Sequence, residues 1–231
     1  MSAALKLLSS MAAREVLAAI AAQYEASTGR PVAAEAAGGV DVAKRVRGGE
    51  AVDIVVLAAD VIDRLVGEGC LVRGSRTDLA RSGIAVAVRS GSARPDIATE
   101  EDVKRAVQNA GRLSYSTGPS GAYLEQLFQG WGILEQIRGR IVVPPPGVPV
   151  GSLVADGSVA LGFQQFCELK DVPGVEVLGP LPSSIQSVTT FSGGIGTACR
   201  EPGAAGALLE FMASAEVADL KRRHGMEPVT P

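Results

Sequence analysis

The residues in this chain best suited to chemistry are small, hydroxyl-bearing or amide-bearing, and they recur at one kind of position. Ser9-Ser10 with Met11, Gly38-Gly39, Ser120-Gly121, and Pro149-Val150 leading into Gly151-Ser152 each read as a junction just ahead of a helix. At such a junction the first backbone N–H groups lack intrahelical partners and the helix dipole is positive, so an anion can be held there. Any one of these junctions also reads as an ordinary helix cap. The second feature is Gln164-Gln165, read as lying just past an apolar strand. Two neutral amides offer donors and acceptors that can orient a carboxylate or hydroxyl without adding charge, although a solvated loop is the competing reading. Tyr115 fits either a site or a core.

Other chemistries are disfavoured by what the sequence holds. His224 is the one histidine, so a Ser-His-Asp or Cys-His mechanism would have to use it. Cys70, Cys167 and Cys199 are odd in number and lack metal-ligand spacing, which argues against a disulfide framework and favours a reducing compartment. The formal net charge is −3 with basic residues dispersed, which disfavours nucleic acid as a partner. Lys221-Arg222-Arg223-His224, the densest basic run, reads as cations complementing a helix C-terminus. No metal and no cofactor is expected; the expected partner is a small-molecule anion. No segment reaches the ~20 apolar residues of a membrane span. Residues 1–10 lack a secretory h-region, so the chain as written reads as cytoplasmic, or periplasmic if a signal peptide has been removed.

The elements that must position these residues alternate. Strands are expected at 5–8, 31–36, 53–57, 82–88, 112–116, 141–143, 159–163 and 175–178, with an extended segment over 186–197. Helices are expected through Val16–Tyr24, Val40–Arg47, from Asp60 toward Gly69, from Thr99 to Asn109, over Ala122–Gln129 and Pro149–Ala155, and twice after Pro202. Short loops between strand and helix demand parallel pairing with right-handed crossovers. Aromatics make up only 4% of 231 residues, so the core is expected to be Ala, Val, Leu and Ile, as suits helices laid over parallel strands. All such junctions then lie at the carboxyl edge of a sheet, where ligands bind.

Several stretches together carry a family resemblance: Ile20-Ala21-Ala22-Gln23-Tyr24-Glu25 with Thr28-Gly29, Ala43-Lys44-Arg45-Val46 with Gly48-Gly49-Glu50, Val52 to Asp60, and Glu201-Pro202-Gly203-Ala204-Ala205 with Leu209 to Ser214. On these residues the chain resembles the periplasmic molybdate-binding-protein family over nearly its whole length. The resemblance implies an α/β, two-lobed type 2 periplasmic-binding-protein fold, each lobe a mostly parallel sheet flanked by helices, with a ligand cleft between the lobes. Lobe I is expected to comprise 1–81 plus 190–231, and lobe II 82–189. Molybdate binders of the family use two serines, backbone N–H groups and a tyrosine. Here the first serine position falls on Ala12, the serine-rich loop is Ala37-Gly38-Gly39, and the tyrosine position is Gln165.

Gly162-Phe163-Gln164-Gln165, Asp78 to Gly83 and Val177 to Pro182 are instead similar to a divergent branch that resembles bacterial aconitate isomerase. That resemblance implies a small organic polycarboxylate. Two functions follow as expectations: a solute-binding protein for a small carboxylate, possessing an ABC-transporter permease as partner if exported, or a cofactor-free isomerase shifting a C=C bond by 1,3-proton transfer. The second needs a base, for which Glu35, Asp41, Tyr115 and Glu168 are the candidates.

Overall fold

The computed structural model describes residues 3–145 and 148–229. The end of the Pro144–Gly147 turn, Pro146-Gly147, lies outside the described residues. The strands are β1 (Leu5–Ser10), β2 (Val32–Ala37), β3 (Ile54–Ala58), β4 (Thr77–Arg89), β5 (Leu113–Tyr115), β6 (Leu161–Gln165), β7 (Val175–Pro180), β8 (Val188–Ile195) and β9 (Glu227–Pro228). The helices are α1 (Arg14–Thr28), α2 (Gly39–Arg47), α3 (Ala59–Gly67), α4 (Glu100–Asn109), α5 (Pro119–Gly130), α6 (Leu134–Ile137), α7 (Val150–Ala155), α8 (Phe166–Leu169), α9 (Pro202–Ala213) and α10 (Ala218–Arg223).

The chain divides into two compact units, one of residues up to Arg81 together with those from Thr190 onward, the other Ser82–Thr189. The first unit is built on strands in the order β2-β1-β3-β8. β1 pairs in parallel with both β2 and β3, and β3 pairs antiparallel with β8. β3 reads Ile-Val-Val-Leu-Ala and is buried along its whole length, because helices cover both faces of the sheet. On one face Leu8, Val55 and Leu57 pack with Val42 and Val46 of α2 and with Ile62 and Leu65 of α3. On the other face lie α1, α9 and α10, with Val16, Leu17, Ile20, Leu208, Leu209 and Met212 buried. Tyr24 of α1 and Phe211 of α9 meet there with ring centroids 5.2 Å apart.

In the second unit β5 and β6 are parallel, while β4 pairs antiparallel with both β6 and β7. Its core gathers Ile84, Val86, Val103, Val107, Leu124 and Leu161 around Phe128. The Phe128 ring stands 6.0 Å from Tyr115, 6.1 Å from Phe163 and 5.7 Å from Trp131. The few aromatics are therefore concentrated at one point of an otherwise aliphatic core. α4 begins with a reciprocal capping box: Asp102 N–H donates to Thr99 Oγ1 (3.2 Å) and Thr99 N–H to Asp102 Oδ2 (3.1 Å).

Several boundaries differ from those read in the sequence. Ile141 makes only an isolated bridge to Leu113 rather than opening a strand over 141–143. α6, α8 and β9, all very short, were not expected. α5 starts at Pro119, three residues before Ala122, because a proline at the first helical position is already set to the helical φ.

Candidate functional site

In the first unit Ser9 and Ser10 are the last two residues of β1, and Met11 opens a single 3₁₀ turn, Met11–Ala13, that leads into α1. They do not abut the α-helix directly, as the sequence suggested. Ser9 is buried and its hydroxyl makes one long contact, 3.5 Å, to the Glu35 carbonyl. The Ser10 hydroxyl is buried with no hydrogen-bond partner among the described residues. A buried unsatisfied hydroxyl is costly and calls for an explanation. Gly38 is the N-cap of α2 and Gly39 its first residue, and no side chain caps that end. A Cβ placed on Gly39 would sit 3.8 Å from the Ser10 Cβ, so the orphan hydroxyl and the uncapped helix start are neighbours. The first turn closes with Val42 N–H on the Gly38 carbonyl, 2.9 Å. Val40 is 68% exposed, so this helix start is open to solvent. One acidic group flanks it. A Cβ on Gly38 would meet Asp41 Oδ2 at 3.1 Å. Glu35 is ion-paired with Arg45, whose guanidinium also holds Glu50; the hydrogen bond from Arg45 keeps the Glu35 carboxyl below its usual range.

In the second unit Ser120 and Gly121 lie within the first turn of α5 rather than ahead of it; Gly118 is the N-cap, again without a side-chain cap. Ser120 is buried and its hydroxyl is 2.8 Å from that of Ser116. Gly121 has a packing reason to be glycine, since any Cβ would overlap the Ser116 carbonyl oxygen. Pro149 is the N-cap of α7 and Val150, fully buried, its first residue.

Gln164 and Gln165 are the final residues of β6, not a loop beyond it, and both are buried. Both amides are engaged by the protein. Gln164 Oε1 accepts from Gly151 N–H of α7 (3.3 Å), and its Nε2 donates to Glu168 Oε1 (2.8 Å). Gln165, oriented so that both ends are satisfied, donates from Nε2 to the Ser82 carbonyl (2.7 Å) and accepts at Oε1 from Thr189 Oγ1 (2.7 Å). The glutamines thus tie α7, α8 and the two chain crossings of this unit together.

Glu168 is the carboxyl that the sequence reading could not separate from its rivals. Burial pushes it up to about 7, against the opposing hydrogen bond from Gln164. A carboxyl that titrates near neutrality can both give and take a proton, which Glu35, held down by Arg45, cannot. Tyr115 is raised by burial against Phe128 and behaves as a core residue. Burial also pushes the Cys167 thiol up to about 12, so it is not a nucleophile at neutral pH. No group of three or more His, Cys, Asp or Glu able to hold a metal occurs among the described residues.

Among known proteins, the chain is 34% identical over 218 residues to an aconitate isomerase from Pseudomonas sp, covering 91% of this chain and 82% of that protein. Among solved structures it resembles the periplasmic molybdate-binding protein of Azotobacter vinelandii, with TM-score 0.81, 19% identity, and 98% and 99% of the two chains covered. It also resembles the sulfate-binding protein SubI of Mycobacterium tuberculosis, with TM-score 0.80, 17% identity, and 100% and 88% covered. At those identities the likeness establishes the fold, which is that of the type 2 periplasmic binding proteins. The profile described as bacterial extracellular solute-binding protein matches residues 5–227. The chain belongs to the bacterial extracellular solute-binding protein family.

Proposed function

We propose that this chain binds a small organic polycarboxylate as a solute-binding protein. The observation that carries the reading is the Ser10 hydroxyl, buried without a partner beside the uncapped, solvent-open start of α2 at Gly38-Gly39. A carboxylate oxygen placed there would satisfy the hydroxyl and meet the positive end of the helix dipole. In this reading Ser9, Ser10, Met11, Gly38 and Gly39 serve in one unit. Ser120, Gly121, Pro149, Val150, Gln164 and Gln165 serve in the other, the first four by backbone groups and the glutamines by fixing the elements that carry them. The relative's aconitate, a tricarboxylate, supports an organic acid over a metal oxyanion. Family membership supports export and delivery to an ABC-transporter permease.

A thermal-shift and calorimetric screen over trans-aconitate, cis-aconitate, citrate, molybdate and sulfate tests the reading, because a ligand of the native state raises stability by RT ln(1 + [L]/Kd). Stabilisation by the tricarboxylates, lost in Ser10→Ala, is expected. Stabilisation by molybdate or sulfate alone would refute it.

A second reading is a cofactor-free isomerase that shifts a C=C bond. It is favoured by the Glu168 carboxyl near 7 and by the 34% identical isomerase. Glu168 would carry the proton between the two carbons, and helix-start N–H groups would stabilise the enolate-like charge. Proton NMR of cis-aconitate incubated with the protein tests it. Conversion to the trans isomer, abolished by Glu168→Gln, is the expected result; no conversion over hours rules catalysis out.

A further inference from the structure

Lys221 of α10 is 1% exposed, and its ammonium has no hydrogen-bond partner among the described residues. It borders a small void walled by apolar side chains, among them Ala13, Val16 and Leu17 at the start of α1, Val56 of β3, Phe191 of β8 and Met212 of α9. Among the described residues no other titratable group lines that void. On its own helix Asp219 and Arg222 pair with each other at the surface (2.7 Å), and Arg223 is exposed to solvent. A void lined this way offers a water too few polar partners to be held.

An unpaired ammonium in such a place is costly, and truncating it to an apolar side chain would be expected to stabilise the fold. Its position gives that cost a use. Ala13, on the wall of the void, ends the 3₁₀ turn that begins directly after Ser10. The buried charge therefore lies beside the Met11–Ala13 turn, which directly follows the Ser9-Ser10 end of β1 that the proposed function assigns to the anion.

We propose that Lys221 is a specificity-determining residue, the buried counter-charge that favours an anionic ligand at the Ser10 turn without touching it. The inference rests on the proposed anion site. In the free protein the ammonium is uncompensated; a bound anion compensates it through the first turn of α1, so ligand and protonated amine stabilise each other. Burial already lowers this amine to about 8, so it is mostly charged at pH 7 and sensitive to a new neighbour. Reciprocity of linkage requires that the anion raise the pKa of Lys221 by the same coupling with which the ammonium raises the affinity for the anion.

The test uses the full chain and trans-aconitate. NMR titration of the Lys221 side chain is expected to show its midpoint moving upward when the ligand is saturating. Lys221→Met is expected to bind about ten-fold more weakly at pH 7, within the roughly 5–150-fold range of couplings between groups that act without touching. The loss should fade above the free-protein midpoint, where the parent amine is neutral. An unmoved Lys221 midpoint, or equal affinity in Lys221→Met, with trans-aconitate bound to the parent, overturns this inference and leaves the binding function standing. Failure of the parent to bind trans-aconitate overturns both.

Discussion

Replacing Lys221 by methionine should make this protein more stable, and the size of the gain should depend on pH in a defined way. An ordinary lysine titrates at 10.5, and burial in the fold lowers Lys221 to about 8. That difference corresponds to about 3 kcal/mol between the charged and neutral amine in the native state. The unfolded chain binds a proton here that the native state releases between about pH 8 and 10.5, so the parent gains stability as pH rises through that window and bears the full cost below it. Lys221→Met has no such dependence. At pH 7 it should unfold about 3 kcal/mol later than the parent, raising Tm by about 10 °C for a chain of this size. Above pH 10.5 only the difference in packing should remain. The single tryptophan, Trp131, lies in the other unit, so a probe of backbone structure along the whole chain is preferred to its fluorescence. Urea unfolding followed by circular dichroism at 222 nm, at pH 7 and pH 10.5, is the appropriate assay. A gain that is equal at the two pH values, or a loss at pH 7, would show that the amine is not a buried uncompensated charge.

Gly121→Ala drives a methyl group into the Ser116 carbonyl and should cost about 2–3 kcal/mol, read by Trp131 fluorescence on urea unfolding, whereas Gly130→Ala at the other end of the same helix meets open space and should cost little. Because Glu168 is raised to about 7, its native form holds a proton that the unfolded chain loses near 4.5, so stability should fall as pH rises from about 4.5 to 7. Glu168→Gln should flatten that fall, as measured by unfolding at pH 4.5 and 7. Gln164→Ala removes the donor that favours the Glu168 carboxylate and should move its midpoint higher still, observed by carbon NMR titration.

Much of the architecture was legible because β1, β3 and their covering helices have the simplest patterns: continuous apolar strands, periodic helices and glycine stops. The Ile54–Ala58 run is buried on both faces and reads that way in one dimension. What escaped is set by contacts between distant segments. Gln164 and Gln165 looked like a loop because polar residues rarely end a buried strand, but pairing of Gln165 with Ile84 and Gln164 with Ala85 extends β6 over them. Ser120-Gly121 looked like a turn, although Pro119 was a signal for an earlier helix start. Glu168 was one of four candidate bases, with Glu35, Asp41 and Tyr115, until burial separated it from Glu35. Lys221 was read with Arg222, Arg223 and His224 as cations complementing a helix C-terminus. Its spacing of four from the buried Val217 placed it on the inward face, a signal that the general rarity of buried lysine obscured.

β4 and β8 each begin in one unit and end in the other, and this has a consequence for synthesis. Residues 82–189 form one uninterrupted stretch, so that unit can complete itself as soon as the chain has emerged through β7 and the start of β8. The first unit cannot, because β3 waits for β8, and α9 and α10 follow later still. A nascent or truncated chain ending before Thr190 would carry the edge of β3 open, a run of Ile, Val, Val and Leu with no partner strand. Such a chain presents that apolar edge until β8 is made, and is exposed to aggregation if the segment from Thr190 onward is lost or delayed.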